Sequence, residues 1–219
     1  MKFKLFNYFR SSASYRVRIA LALKAVPYEY ISVHLLNNGG EQKSAAHEAR
    51  NPMKQVPALE VTDGNEQYIL TQSVAICEWL DESITGPNLL PTAPLERAWA
   101  RELVEIVNSG IQPHQNLSIS QRLDAVQQGL GREHAQHFNV LGLEALDRRV
   151  RSMQKPNTKF IFGSQPTLAE AFFVPQLESA RRFGVDVSPY KALLAVEAEC
   201  LALEAFQKSQ PSAQPDFSA

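Results

Sequence analysis

The chain has 219 residues, 44% of them hydrophobic, enough to bury one large core or two modest ones. Its 22 basic and 23 acidic residues are mixed along the length for a formal net charge of −1, which excludes the basic stripe that nucleic-acid binding requires. No apolar stretch reaches signal-peptide or membrane-span length, so a soluble cytoplasmic protein with neither nucleic-acid nor membrane partners is expected. Cys77 and Cys200 form no CxxC pair. They argue against a disulfide framework or a cysteine-built metal site, and both are expected as small buried hydrophobes.

Lys2 to Tyr8 alternates apolar and polar residues as a strand does. Ser14 to Lys24 is an Ala/Leu/Arg-rich helix ended by Ala25-Val26-Pro27, and Tyr28 to Val33 is a second strand, giving a βαβ unit with a parallel pair. A polar stretch with the Asn37-Asn38-Gly39-Gly40 turn follows, with a short helix after it. Ala58 to Val61 and Gln67 to Leu70 flank Asp63-Gly64, the chemistry of a tight hairpin. Ser73 to Glu82 carries Val74, Ile76, Trp79 and Leu80 at helical spacing. Gly86, Pro87, Pro91 and Pro94 mark a linker, beyond which four stretches, 95–121, 129–153, 167–183 and 190–206, show helical periodicity. Pro113 predicts a kink or break near Gly110 to Gln115, and the tail from Ser209, with Pro211 and Pro215, is expected to be extended or loosely packed. These elements predict an α/β first domain over residues 1–84 and an all-helical bundle over 92–219.

Three stretches carry chemistry. Arg10-Ser11-Ser12-Ala13-Ser14-Tyr15-Arg16 joins a serine cluster to a helix start, which is either an anion site or an N-cap that satisfies orphan N–H groups. Asn51-Pro52-Met53-Lys54-Gln55-Val56-Pro57 precedes the hairpin, and Gln72-Ser73 opens a helix whose hydroxyl and free N–H groups can take a carboxylate. Ser14 and Ser73 are most simply read as helix caps. Arg16 and Arg18 are expected in surface ion pairs on the first helix. His134 and His137 lack a third ligand at metal spacing, so no metal is expected, and His114 is a pocket wall without a catalytic role.

In this order and spacing the stretches resemble the cytosolic glutathione transferases, over nearly the whole chain. The run Ser11-Ser12-x-Ser14-x-Arg16-Val17-Arg18-Ile19-Ala20-Leu21, with Asn51-Pro52-Met53-Lys54-Gln55-Val56-Pro57 and Ile111-Gln112-Pro113, is similar to the zeta class. The resemblance implies a thioredoxin-like βαβ-ββα domain followed by a helical bundle, a homodimer, and glutathione as cofactor. It implies Ser11 as the serine that activates the glutathione sulfur, with Ser12 as the alternative. Val56 and a cis Pro57 are implied to meet the cysteinyl part of glutathione, Gln72 and Ser73 its γ-glutamyl carboxylate, and Gln42 and Lys54 its glycine end. Gln112 matches a second-domain residue reaching glutathione. Arg10 and Arg182 match positions that hold substrate carboxylates, for which bidentate guanidinium pairing is suited. Thr167-Leu168-Ala169-Glu170 fits a capping box, with Glu170 where the family more commonly has aspartate.

The implied reaction is glutathione-dependent cis–trans isomerisation of a maleyl dicarboxylate, 4-maleylacetoacetate to 4-fumarylacetoacetate, in aromatic-amino-acid breakdown. Maleylpyruvate isomerisation and glutathione transfer to or dehalogenation of α-halo acids are alternatives, as is a non-catalytic binding module. Against maleylpyruvate, His114 to Ser118 lacks the arginine that those relatives carry. The class commonly reads Ser-Ser-Cys where this chain has Ser11-Ser12-Ala13.

Overall fold

A computed structural model describes residues 1–218 in two compact units, Met1–Leu89 together with the segment from Leu203 onward, and Leu90–Ala202. The division at Leu89/Leu90 falls within the expected linker. The segment from Leu203 onward, assigned from sequence to the second domain, clusters with the first unit.

The first unit holds β1 (Lys2–Asn7), α1 (Ser12–Leu23), β2 (Glu29–Ser32), a short α2 (Ala45–Glu48), β3 (Ala58–Asp63), β4 (Glu66–Thr71) and α3 (Ser73–Ser83). The strands form one sheet in the order β2-β1-β3-β4, with β1 and β2 parallel and the other pairs antiparallel. Alternation in β1 follows from the pleat: Phe3 and Leu5 are buried, while Lys2 and Lys4 face out. The hairpin closes on Asp63 opposite Glu66, with Gly64 at φ +58. At the far end of α1, Lys24 is buried, pairs with Asp81 at 3.2 Å, and donates to the carbonyls of Asp81 and Ile84 at 3.2 and 3.0 Å. A cation on the last carbonyls of α3 suits the negative end of that helix dipole and ties α3 to α1.

Two expectations for this unit fail for one reason, burial. Tyr15, Val17, Ile19, Ala20 and Leu21 surround α1 with apolar side chains and leave it no solvated face. Arg16 and Arg18, expected in surface ion pairs, are therefore inside, at 1% and 0% exposure, and are met by internal oxygens. The tail is also packed and not loose. Helix α9 (Glu204–Ser209) lies on α1 with Ser209 buried, and after it Gln214 is buried and Asp216 is hydrogen-bonded to Phe9, Tyr30 and Ser32.

The second unit is helical: α4 (Pro94–Glu105), α5 (Leu117–Asp124), α6 (Leu130–Met153), α7 (Leu168–Phe183) and α8 (Lys191–Leu201). The break expected near Gly110 to Gln115 is a π-helical turn, Ile106–Ile111, followed by a 3-10 turn, Gln112–Gln115, where Pro113 cannot donate to an α-helical ladder. Helix α6 approaches this turn so closely that a Cβ at Gly142 would stand 2.2 Å from Ile111 Cγ1. Helix α7 starts with the expected capping box. Glu170 is fully buried and accepts from Thr167 N–H at 2.8 Å, Thr167 Oγ1 at 2.6 Å and Ile161 N–H at 2.8 Å. Burial raises its pKa from the ordinary carboxylate value, and these donors oppose the shift. The carboxylate thus joins the start of α7 to the loop before it. Cys77 and Cys200 are both buried, and burial pushes the Cys77 thiol up to about 12.

Glu170→Ala leaves buried N–H groups of Ile161 and Thr167 without acceptors. It is expected to lower unfolding stability by about 3 kcal/mol in urea titrations followed by circular dichroism.

Candidate active site

Strand register brings the three chemical stretches of the first unit to one end of the sheet. Phe6 of β1 pairs with Ala58 of β3, and Ala58 pairs with Thr71 of β4. The turn leaving β1 toward Ser11, the Val56-Pro57 entry into β3 and the Gln72-Ser73 exit from β4 therefore lie beyond the same end of adjacent strands. Phe6, Tyr8, Phe9, Val33, Val56 and Ala58 pack there as one apolar cluster.

Ser11 is the N-cap of α1. Its Oγ accepts from Ser14 N–H at 3.1 Å, so the helix begins two residues earlier than expected and Ser11, not Ser14, is the cap. The capping bond uses an acceptor lone pair and leaves the Ser11 O–H proton to donate to an anion. The first turn of α1 contains no acidic residue to offset the positive end of its dipole. Ser12 and Ala13 are half-buried in that turn, and Arg10 beside them is exposed. Ser14 is buried with its Oγ unpartnered among the described residues.

The Val56-Pro57 peptide is cis. Its loop is braced by buried Asn51, which accepts Met53 N–H at 3.0 Å and donates to Gln55 O at 2.8 Å, while His47 Nε2 lies 2.9 Å from the same carbonyl. Val56 stands two residues ahead of Ala58, the first paired residue of β3. Lys54 adopts a left-handed φ of 56° and forms an exposed ion pair with Glu48 at 2.9 Å.

Gln72, at φ 68°, holds the N-cap position of α3 without a side-chain capping bond. Ser73 is the first helical residue, not the cap, because the helix starts only after that non-helical dihedral. Its Oγ instead accepts from Arg16 Nη1 at 3.2 Å, placing a buried cation behind the hydroxyl. Gln42 is buried, and its Oε1 has no partner among the described residues. Gly40, at φ +108°, makes room for it, since a Cβ there would lie 2.6 Å from the Gln42 amide. The donors at Ser11 and the α3 start suit a peptide-like ligand with carboxylates and a thiol, and glutathione fits that description.

The other predicted residues lie in the second unit. Gln112 is half-buried at the start of the 3-10 turn. His114 stacks on Phe138 at 3.5 Å between centroids and 4° between planes, with Nδ1 3.3 Å from His134 Nε2. Burial first, then His134, lowers the His114 pKa. Arg182 ends α7, is exposed, and donates to Ser179 Oγ at 3.1 Å. A groove of about 720 Å³ between α6 and the chain after α7 contains none of the predicted residues, and its Asp147 is committed to Arg151 and to the N–H groups of Ala192 and Leu193. No group of three or more His, Cys, Asp or Glu among the described residues could hold a metal ion.

Sequence reasoning missed Asn51 and His47 as loop braces and Arg16 as the partner of Ser73. The Arg16-Val17-Arg18 spacing inside an all-round apolar helix was the available signal for the buried arginines.

The family described as glutathione S-transferase, N-terminal domain, matches residues 10–83. Maleylacetoacetate isomerase of Mus musculus is 43% identical over 215 residues, covering 98% of this chain and 95% of its own. The crystal structure of maleylacetoacetate isomerase from Anaeromyxobacter dehalogenans with bound glutathione superposes with a TM-score of 0.90 at 46% identity, covering 99% of this chain and 98% of that one. A further structure of that protein holds dicarboxyethyl glutathione and citrate in its active site. The holo structure of a maleylpyruvate isomerase described as a zeta-class bacterial glutathione transferase also gives 0.90, at 39% identity, covering 98% of this chain and 100% of that one.

Asn51→Ala removes both side-chain bonds of the brace before Val56. A loss of about 2 kcal/mol in unfolding stability is expected by urea titration.

Proposed function

The chain belongs to the zeta class of glutathione transferases, and from that premise we propose that it catalyses glutathione-dependent cis–trans isomerisation of a maleyl dicarboxylate, 4-maleylacetoacetate to 4-fumarylacetoacetate. The observation that carries this reading is the gathering of Ser11, Val56-Pro57 and Gln72-Ser73 at one end of the sheet. Held by these residues, glutathione would supply a thiolate able to add reversibly to the activated carbon–carbon double bond, lowering it to a single bond that can rotate.

The chain's own residues then have separable tasks. Ser11 donates its free O–H proton toward the sulfur, with the positive end of α1 behind it. A thiol of pKa about 8.5 is mostly protonated at neutral pH, so even a modest lowering multiplies the reactive fraction. Ser12 is the alternative donor, and Ala13 supplies no thiol of its own. Val56 offers backbone groups to the cysteinyl part, while Gln72 and Ser73, with Arg16 behind, take the γ-glutamyl carboxylate. Gln42, Lys54 and Gln112 are assigned to glutathione by the resemblance. The resemblance assigns Arg10 and Arg182 to the substrate carboxylates, where a guanidinium would stabilise the negative charge that develops on addition. In this reading the enzyme is a cytoplasmic homodimer of aromatic-amino-acid breakdown, which rests on the family resemblance. No helix among the described residues is long and apolar enough to cross a membrane.

Turnover followed by absorbance, with and without glutathione, tests the reading. Faster glutathione-dependent isomerisation of maleylacetoacetate than of maleylpyruvate is expected; the reverse order reassigns the substrate, and no turnover of either overturns the enzyme. Ser11→Ala is expected to slow isomerisation by about 100-fold, the effect of deleting one preorganised donor to an anion. A full rate in that variant moves the role to Ser12. Arg182→Ala is expected to raise KM for the diacid about 10-fold, as loss of one charge-assisted contact does, while glutathione affinity measured by calorimetry stays unchanged.

A further inference from the structure

The turn that delivers Arg10 and Ser11 is held by charges of opposite sign. Chain direction reverses between Tyr8 and Ser11, where Ser11 N–H donates to Tyr8 O at 3.0 Å. On one side buried Arg18 donates to Phe9 O at 3.1 Å, Tyr8 O at 3.4 Å and the Asn7 side chain at 3.0 Å. On the other, Asp216 accepts Phe9 N–H at 3.3 Å. The Phe9 peptide groups are therefore clamped, the carbonyl by a cation and the N–H by an anion.

Asp216 is itself fixed. It accepts from Tyr30 at 2.5 Å and Ser32 at 2.9 Å, two residues that share a face of the edge strand β2. Burial, and then the bond to Asp216, raises the Tyr30 pKa, which keeps that phenol a donor. Phe217 meets the Phe9 ring edge-on at 5.6 Å between centroids, and Arg18 reaches back to the tail through Ser209 O at 3.0 Å. The segment after α9 thus meets both β2 and the residue before Arg10.

We propose that Asp216, supported by Phe217, is a positioning residue for the reaction: the C-terminal segment is a strap that fixes the Phe9 peptide and so the placement of the Ser11 hydroxyl and the Arg10 guanidinium. The inference rests on the assignment of Ser11 to the sulfur. Small misplacements of a reacting group are costly to rate, so a strap far from the chemistry in sequence controls it through geometry.

Asp216→Ala in the full chain is the test. Glutathione-dependent kcat/KM is expected to fall about 10-fold, and the limb of its pH profile that reports thiolate formation to move to higher pH, because the Ser11 donor is displaced. A carboxylate acting only through its charge would move that limb the other way, since removing a nearby anion favours a thiolate. Asp216→Glu, which keeps the acceptor, is expected to recover part of the rate. An unchanged limb, or one moved to lower pH, overturns the proposal. If Asp216→Ala does not fold, Phe217→Ala decides: a drop of about 3-fold with the limb moved to higher pH supports the strap, and unchanged kinetics overturn it. Backbone amide exchange separates this inference from the function itself. If the unaltered chain shows no turnover, the proposed reaction fails, yet the Phe9 and Ser11 amides must still exchange about 10-fold faster in whichever variant folds; equal protection overturns the strap.

Discussion

Arg18 carries a charge into the interior of the first unit, and much of that unit is arranged to receive it. A buried guanidinium is costly unless its donors find acceptors. Here the Asn7 side chain, the Tyr8 and Phe9 carbonyls and Ser209 O supply them, while burial holds the pKa below the usual arginine value. One side chain thereby joins the end of β1, helix α1 and the returning C-terminal segment. The turn that presents Ser11 has the shape this cation requires.

The same economy recurs across the candidate site, where groups that stabilise the fold are also those proposed to serve the chemistry. Ser11 caps α1 with a lone pair and keeps its proton for a ligand. Ser73 opens α3 and accepts from Arg16, so the hydroxyl proposed to meet a carboxylate has a cation behind it. Asn51 and His47 converge on Gln55 O, and the peptide that follows is the Val56-Pro57 edge. Because neither cap nor brace consumes the group proposed for binding, stability and the proposed function are compatible at these residues.

Local patterns made most of the architecture legible. Alternation in Lys2–Asn7, the turn at Asp63-Gly64 and the capping box at Thr167–Glu170 are short-range features whose physical cause lies within a few residues. Pro113 signals the break before α5 for the same reason, since a missing N–H is a property of the residue itself. The misread residues share the opposite character. Ser14 and Ser73 resemble caps, but which hydroxyl caps depends on where the helical dihedrals begin. Arg16 and Arg18 resemble a solvated pair until α1 is buried on every side.

The sequence by itself determined the βαβ-ββα order, the helical second half and the glutathione-transferase family, because periodicity, turn chemistry and contiguous motifs survive without coordinates. Only the tertiary structure decided that the three motifs share one end of the sheet, that two arginines lie in the core, and that Asp216 in the tail after Ser209 meets Phe9 across 207 residues of chain. Contacts of that separation have no local signature. They arise when a buried charge or an open strand edge must be satisfied, and the partner is whichever acceptor the fold brings within reach.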